Sequence, residues 1–119
     1  MSGVPPPQPS PGGGGTKAEW PKDAQALMRS RYAAYEALDE AWLLASWHAS
    51  TRPAIVELDA STKWLGLEVR DHKAIDENHA EVEFVARYRA GGGRAVRLHE
   101  RSRFVREGGR WYYVDGDTR

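Results

Sequence analysis

The residues best suited to chemistry lie near the C-terminus, in residues 98–104 (LHERSRF). Side chains of a β-strand alternate between the two faces of a sheet, so every second residue of this segment would share a face. One such row holds Leu98, Glu100, Ser102 and Phe104. Because burying an unpaired carboxylate or hydroxyl costs free energy, we expect Glu100 and Ser102 to be hydrogen-bonded or to face a cavity. The segment therefore predicts the floor of a pocket.

Glu100 has the greatest capacity for acid–base chemistry in this row. A carboxyl group among Phe84, Leu98 and other rings would be partly desolvated, and desolvation favours its neutral form. Glu100 could then act as a general acid or base. The alternative is that Glu100 forms a buried hydrogen bond or ion pair with an arginine or tyrosine of the covering helices. The sequence leaves both interpretations open and does not decide whether the protein is an enzyme.

Further pocket residues are expected on the elements that cover this face. Arg29 and Tyr32 lie on a predicted first helix, Trp47 ends a second one, and His48 follows it. A histidine at a helix end, followed by a hydroxyl-rich loop that carries Arg52, could bind an anion at the pocket mouth. Alternatively, these side chains only cap the helices or lie in solvent. The complete predicted pocket set is Glu100, Ser102, Arg29, Tyr32, Trp47, His48, Arg52 and Phe84.

The histidines do not have the spacing of a metal site. His99 and Glu100 begin like the zinc-binding HExxH motif, but Arg103 stands where the second histidine would be, and the segment has a strand pattern. His72 and His79 only flank a predicted loop. The chain contains no cysteine, which excludes thiolate metal sites, disulfides and a cysteine nucleophile. We predict neither a metal nor a cofactor.

Charge and hydropathy limit the partners. The 119 residues include 17 basic and 17 acidic side chains, so no net field attracts nucleic acid or anionic lipid. Arginines between Arg94 and Arg110 are interleaved with aromatic residues, a pattern that can bind single-stranded nucleic acid. Glu81 and Glu83 are placed to neutralise that face, however, so we expect a salt-bridged surface and no nucleic-acid partner. No apolar run approaches the roughly 20 residues that span a bilayer, and we expect no membrane association and a cytoplasmic location.

The chain divides into two regions. Residues 1–19 are rich in proline and glycine and bury too little apolar surface to offset chain entropy, so we predict a disordered tail. Residues 20–119 suffice for one domain with one core. Apolar periodicity predicts a first helix that begins after the N-cap Asp23, and a second helix over residues 40–47 capped by Asp39. Pro53 predicts a short third helix through about Leu58.

Strands follow the helices. The pattern predicts them over residues 64–73, 81–90, 94–106 and 110–115, separated by turn signals. Helices followed by a run of antiparallel strands are typical of an α+β fold.

The register of the middle hairpin can be predicted. A three-residue glycine loop places Phe84 opposite Glu100 and makes the apolar rows of both strands coincide. The other face would then hold two cross-strand ion pairs, Glu83–Arg101 and Glu81–Arg103. In the last hairpin two alternatives stay open. A two-residue Gly108-Gly109 loop turns Trp111 and Tyr113 toward the pocket, whereas a three-residue loop turns Tyr112 and Val114 there.

Several segments carry a family resemblance. They are residues 27–35 (LMRSRYAAY), 47–53 (WHASTRP), 64–67 (WLGL), 84–88 (FVARY), and 98–104 with 109–113 (GRWYY). In this order they resemble the YchJ-like family of bacterial proteins, over about residues 23–117. The resemblance implies a nuclear transport factor 2-like cone, in which N-terminal helices pack on a strongly curved, mainly antiparallel sheet and enclose a cavity. It also implies a homodimer through the outer sheet face.

The resemblance has one departure. Members of this family usually begin with a cysteine-rich SEC-C zinc motif, and here a Pro/Gly-rich tail takes that place, so functions of the zinc motif are not transferred. The family has no established activity. We therefore expect a small-molecule-binding or interaction module with an unidentified small-molecule partner. The alternative is a SnoaL-like or ketosteroid-isomerase-like enzyme with Glu100 as general acid or base, although no second catalytic acid accompanies Glu100.

Overall fold

Two helices precede a sheet of four strands in the computed structural model, which describes residues 19–119. The predicted disordered tail therefore lies outside the described residues, except for Glu19. The elements are α1 (Ala24–Ala37), α2 (Glu40–Ala45), β1 (Thr62–Asp76), β2 (His79–Ala90), β3 (Ala95–Glu107) and β4 (Arg110–Thr118). This order confirms the predicted α+β class.

Both helices begin at the predicted caps. The Asp23 carboxylate accepts a hydrogen bond from the Ala26 N–H at 2.8 Å, and the Asp39 carboxylate accepts one from the Trp42 N–H at 3.1 Å. Such caps satisfy N–H groups that have no partner inside a helix. Between the helices, Leu38 adopts a left-handed conformation with a φ of 57°. This tight connection keeps α1 and α2 in contact.

The predicted third helix is wrong. Residues 52–58 form neither helix nor strand. The backbone of this segment is anchored to other elements instead, since the Val56 N–H donates to the Glu40 carboxylate at 3.0 Å. The Thr51 hydroxyl, just before it, donates to the Val114 carbonyl at 2.7 Å. An N–H group that bonds a side chain of α2 is not available for the carbonyl four residues earlier, as a helix requires.

The four antiparallel strands are ordered β1-β2-β3-β4. The predicted register of the middle hairpin is confirmed, with Phe84 opposite Glu100. The last hairpin adopts the two-residue alternative, since Glu107 pairs with Arg110. Its turn glycines, Gly108 and Gly109, have φ values of 61° and 81°, a backbone conformation that residues other than glycine rarely adopt.

The helices pack on the inner face of the sheet. Irregularities interrupt the β1–β2 register at three points and the β3–β4 register at one, and bulges of this kind bend and twist strands. The core lies between helices and sheet and includes Leu27, Leu43, Val82 and Phe104, each at most 2% exposed. Within residues 19–119, no helix is long and apolar enough to cross a membrane.

Candidate functional site

A cavity of about 390 Å³ lies between α1, the segment before β1 and the inner face of the sheet. Its aromatic lining comes from both layers: Tyr32, Tyr35, Trp64, Tyr88, Phe104 and Tyr113 border it, together with Phe84. The cavity is thus lined by the same helix and sheet faces that form the core.

The rings of α1 meet the rings of the sheet along one wall. Tyr32 and Tyr35 contact Trp64 of β1 at ring-centroid distances of 5.5 and 5.8 Å, and Trp64 contacts Tyr88 of β2 at 5.2 Å. Burial, followed by the charge of Glu36, raises the pKa of the Tyr32 phenol. The wall therefore presents apolar ring faces and the protonated hydroxyl of Tyr32.

The cavity floor carries Glu100 and Ser102, as the strand alternation predicts. The Ser102 hydroxyl donates to Glu100 Oε2 at 2.8 Å, and Ser102 is only 2% exposed. The two polar groups thus pair with each other while both border the cavity. No salt bridge joins Glu100 to an arginine of the described chain. A catalytic role of Glu100 stays a prediction.

Gly116 makes room for the Glu100 carboxylate. It pairs with Ser102 across the β3–β4 ladder, and a Cβ atom at this position would lie 2.8 Å from Glu100 Cδ and 3.1 Å from the Arg101 carbonyl oxygen. Real Cβ atoms essentially never show the first separation, and the second is tighter than most real contacts, so the Glu100 side chain would have to move. The sequence analysis missed this residue, although a glycine inside a strand often marks such a close approach.

Arg31, which was left out of the predicted pocket set, is the buried cation of the site. It lines the cavity at 6% exposure. Arg31 Nη1 donates to the Leu43 carbonyl at 2.9 Å and to the Ser46 hydroxyl at 2.6 Å. Its guanidinium lies 4.9 Å from the Trp47 ring centroid and 4.4 Å from that of Tyr113, where cation–π attraction stabilises it.

The electrostatics of Arg31 follow from its burial. Desolvation lowers the pKa of Arg31 to about 10, against the opposing effects of Tyr35, Tyr113 and Glu100. The side chain therefore remains a cation at neutral pH. Burial also raises the pKa of the Tyr113 phenol above its ordinary 10.0, so that hydroxyl stays protonated.

Arg29, which was predicted to border the pocket, lies in solvent instead. The buried residues of α1 are Ala24, Leu27, Met28, Arg31 and Ala34. Their spacing of three and four residues defines one helix face, and Arg29 lies on the opposite side, about 200° from Arg31 at 100° per residue. This periodicity is the signal that would have identified Arg31.

His48 lies outside the cavity because α2 ends at Ala45, before the predicted boundary. The chain then runs alongside β4, where the His48 N–H donates to the Tyr113 carbonyl at 2.8 Å. The His48 imidazole hydrogen-bonds the Ser50 hydroxyl at 2.7 Å and the Glu107 carboxylate at 2.9 Å. His48 thus joins the end of α2 to the last hairpin.

Trp47 and Arg52 are not cavity-lining residues either. Trp47 packs behind the site, edge-on to Tyr113 at 5.0 Å and against the guanidinium of Arg31. The exposed Arg52 donates to the Trp47 carbonyl at 3.2 Å. Of the predicted pocket set, the structure therefore brings four residues to the cavity, namely Glu100, Ser102, Tyr32 and Phe84.

The part of the chain that the structure describes holds no group of three or more acidic or histidine side chains placed to bind a metal ion. His79 bonds Asp76 in the β1–β2 turn at 2.9 Å, and His99 bonds Glu83 on the outer face at 2.7 Å.

The outer face of the sheet carries a network of ion pairs. Arg101 bonds three carboxylates, those of Glu81, Glu83 and Asp71, at 2.6, 3.0 and 3.1 Å. The predicted Glu81–Arg103 ion pair is wrong although its register is right. Arg103 turns to β4, where it bonds Asp115 at 2.6 Å and Asp117 at 2.8 Å. A homodimer through this face stays a prediction.

Comparisons with known proteins agree with this architecture. Residues 23–116 match the family model described as "YchJ, middle NTF2-like domain". The chain is 64% identical over 97 residues to a UPF0225 protein of Polaromonas sp. strain JS666, covering 82% of this chain and 70% of that protein. It is 58% identical over 105 residues to a UPF0225 protein of Cupriavidus metallidurans, covering 83% and 74%.

Two solved structures are similar in fold. One is the solution structure of a SEC-C motif containing protein from Rhodopseudomonas palustris, with a TM-score of 0.72 and 33% identity over 83% of this chain and 80% of that chain. The other is the crystal structure of a SEC-C motif containing protein from Psychrobacter arcticus, with a TM-score of 0.67 and 28% identity, of which this chain spans 62%. The chain therefore belongs to the YchJ-like (UPF0225) family, and residues 23–116 correspond to the domain that this family model describes as the NTF2-like middle domain.

Proposed function

We propose that the protein binds a small organic molecule in the cavity between α1 and the sheet. The observation that carries the proposal is the combination of a volume of about 390 Å³ and aromatic walls with the polar groups of the buried Arg31 and Ser102 and the half-buried Glu100. Ligand sites are typically apolar clefts of about 300–1,000 Å³ with a few convergent polar groups.

The polar groups of the floor have capacity left for a ligand. Ser102 bonds Oε2 of Glu100, and Oε1 makes no hydrogen bond to any residue from 19 to 119. A carboxylate has about four acceptor sites, so Glu100 can accept further hydrogen bonds from a molecule in the cavity. A donor of the ligand would replace the hydration that this oxygen otherwise needs.

A thermal-stability screen against a metabolite library tests the proposal. A ligand present at 100 times its Kd stabilises the folded state by about 2.7 kcal/mol, which raises the Tm of a domain of this size by about 10 °C or more. We expect such a compound to lose its effect on Glu100→Gln. The matched control is Glu68→Gln, which changes an exposed carboxylate paired with Arg70 on β1. A library without any stabilising compound, or an equal shift in Glu100→Gln, would contradict the proposal.

The second candidate is an enzyme that uses Glu100 as general acid or base. It is favoured by the neighbours of Glu100, since the protonated Tyr113 phenol and the Arg31 cation both interact with its charge. Such groups can stabilise an oxyanion that forms when a carboxylate removes a proton. Turnover of the bound compound, followed by NMR and lost in Glu100→Gln, supports the enzyme. A compound that binds and stays unchanged supports a binding protein.

A further inference from the structure

We infer that the cavity takes a small zwitterion, with its anionic group on Arg31, its ammonium group on Glu100 and an aromatic or apolar body against the rings. This is the chemistry of a free amino acid. The inference rests on the proposed function and names the class of ligand for the same site.

The first argument is the unused hydrogen-bonding capacity of Arg31. Only Nη1 donates to protein groups, and Nε and Nη2 make no hydrogen bond to residues 19–119. In that part of the chain, the one buried side-chain nitrogen or oxygen without a partner is Nε1 of Trp47. Nε and Nη2 of Arg31 therefore retain contact with open space, and the space that Arg31 borders is the cavity.

The second argument is the missing counterion. No carboxylate of the described chain lies within 4.0 Å of the Arg31 guanidinium, whereas Arg101 has three such partners. A buried cation without an anion is costly, because neutral acceptors replace its hydration only in part. A carboxylate that bonds Nε and Nη2 side by side would form the planar two-bond pair that guanidinium groups favour.

The third argument concerns the charges of the other residues that line the cavity. Glu100 lies close enough to interact with Arg31 but does not pair with it, and Glu57 and Asp59 border the cavity on the segment before β1. A simple anion would share the cavity with three carboxylates, and a simple cation would share it with the guanidinium. A molecule that carries both charges can pair with Arg31 and with Glu100.

The ring wall accommodates the remainder of the ligand. Trp64 contacts Tyr32 at 5.5 Å and Tyr88 at 5.2 Å, and further rings pack against such a cluster edge-on or offset. Phe84 lies opposite Glu100 in the β2–β3 ladder and also lines the cavity. A single ring attached to the charged groups can therefore contact this side of the cavity while both charges are paired.

Four probes of similar size test the contribution of each charged group of the ligand. They are phenylalanine, 3-phenylpropionate, 2-phenylethylamine and 2-phenylethanol. Binding is followed by NMR through the shifts of the Trp64 indole N–H and the Arg31 Nε–H. We expect phenylalanine to bind at least about tenfold more tightly than each of the other three probes, which lack one or both charges. A charge-assisted hydrogen bond contributes a factor of this size. Equal or tighter binding of any other probe overturns the inference. If only 2-phenylethanol binds, the proposed function survives and the inference fails, and if no probe binds the inference also fails.

The variant Glu100→Gln gives a second readout. The glutamine keeps the size of the side chain and its bond with Ser102 but removes the charge. We expect phenylalanine to bind about tenfold more weakly to this variant and 3-phenylpropionate to bind more tightly, because the repulsion of the anion is gone. A merely structural role of Glu100 would weaken both probes together, and that result overturns the inference. Glu68→Gln should leave all four affinities unchanged.

Discussion

Arg31 and Arg101 lie on opposite sides of the same sheet, and their surroundings differ in kind. Arg101, on the outer face, bonds three carboxylates, and its hydrogen bonds with Glu81, Asp71 and Glu83 raise its pKa. Arg31, on the inner side, has two neutral acceptors and two rings as partners, and burial lowers its pKa to about 10.

The positive charge of Arg101 is neutralised by carboxylates of the protein, whereas the positive charge of Arg31 has no carboxylate partner in the described chain. The carboxylates around Arg101 are 25–51% exposed, so water and salt share in the interaction and limit its effect on stability. The Arg31 contacts are buried, and they hold α1 to the end of α2. Arg31 thus contributes to folding through neutral contacts and retains an unpaired positive charge toward the cavity.

The largest expected effect follows from removing each arginine in turn. Arg31→Ala leaves the Leu43 carbonyl without its charged donor and opens a space under α1, so we expect a loss of about 2–4 kcal/mol in the free energy of unfolding. Arg101→Ala should cost about 1 kcal/mol, because the carboxylates that lose their partner reach solvent. Urea unfolding of both variants measures the difference. Equal losses would show that the two environments do not differ in energy as described.

The next effect concerns the glycine under the cavity floor. Gly116→Ala forces the Glu100 carboxylate out of its position, and overpacking of this kind typically costs about 1–3 kcal/mol. Gly92→Ala is the matched control, because a Cβ atom there meets nothing within 4 Å. It should change stability by no more than about 0.5 kcal/mol. An unchanged free energy of unfolding for Gly116→Ala would mean that Glu100 does not depend on this gap.

Arg31 and Gly116 also show which features could be predicted from the sequence and which could not. The strands, the helix caps, the β2–β3 register and the inward row of Glu100 and Ser102 followed from strand alternation and turn chemistry, which are local. Arg31 and Gly116 were overlooked, although helix periodicity and a glycine inside a strand mark their positions; the contacts they make are not local. Arg31 is buried because acceptors from α2 and rings from β4 meet it, and Gly116 matters because a side chain of β3 lies above it.

The misplaced pocket residues have the same origin. His48 and Arg52 were assigned to the cavity on the assumption that α2 extends to residue 47. The backbone instead leaves the helix after Ala45 to pair with Tyr113, a contact between positions far apart in the sequence. Local patterns therefore predicted which residues face inward on a strand, and could not predict where a loop is held by a distant strand.

The outer face should determine the acid sensitivity of the fold. The hydrogen bond from His99, followed by that from Arg101, lowers the pKa of Glu83 below its ordinary 4.5. The stabilisation from ionised Glu83 is therefore complete above pH 4.5 and is lost as the pH falls from there through the folded-state pKa. In Glu83→Gln we expect Tm to fall less steeply than in the unmodified chain over about pH 5 to 3. Parallel Tm curves would assign the acid sensitivity to other groups.

The smallest effect should come from Arg103, which bonds two exposed carboxylates of β4 with a side chain that is itself 40% exposed. Exposed ion pairs contribute about 0–1 kcal/mol, and salt screens them. Arg103→Gln should therefore destabilise the protein by less than about 1 kcal/mol at low salt, with the difference disappearing at about 1 M, where the screening length is about 3 Å. The loss caused by Arg31→Ala should persist at high salt, because buried contacts are screened much less. Urea unfolding of both variants at low and high salt tests this contrast. A loss in Arg31→Ala that vanishes with salt would place Arg31 among solvent-screened charges and remove the distinction between the two faces.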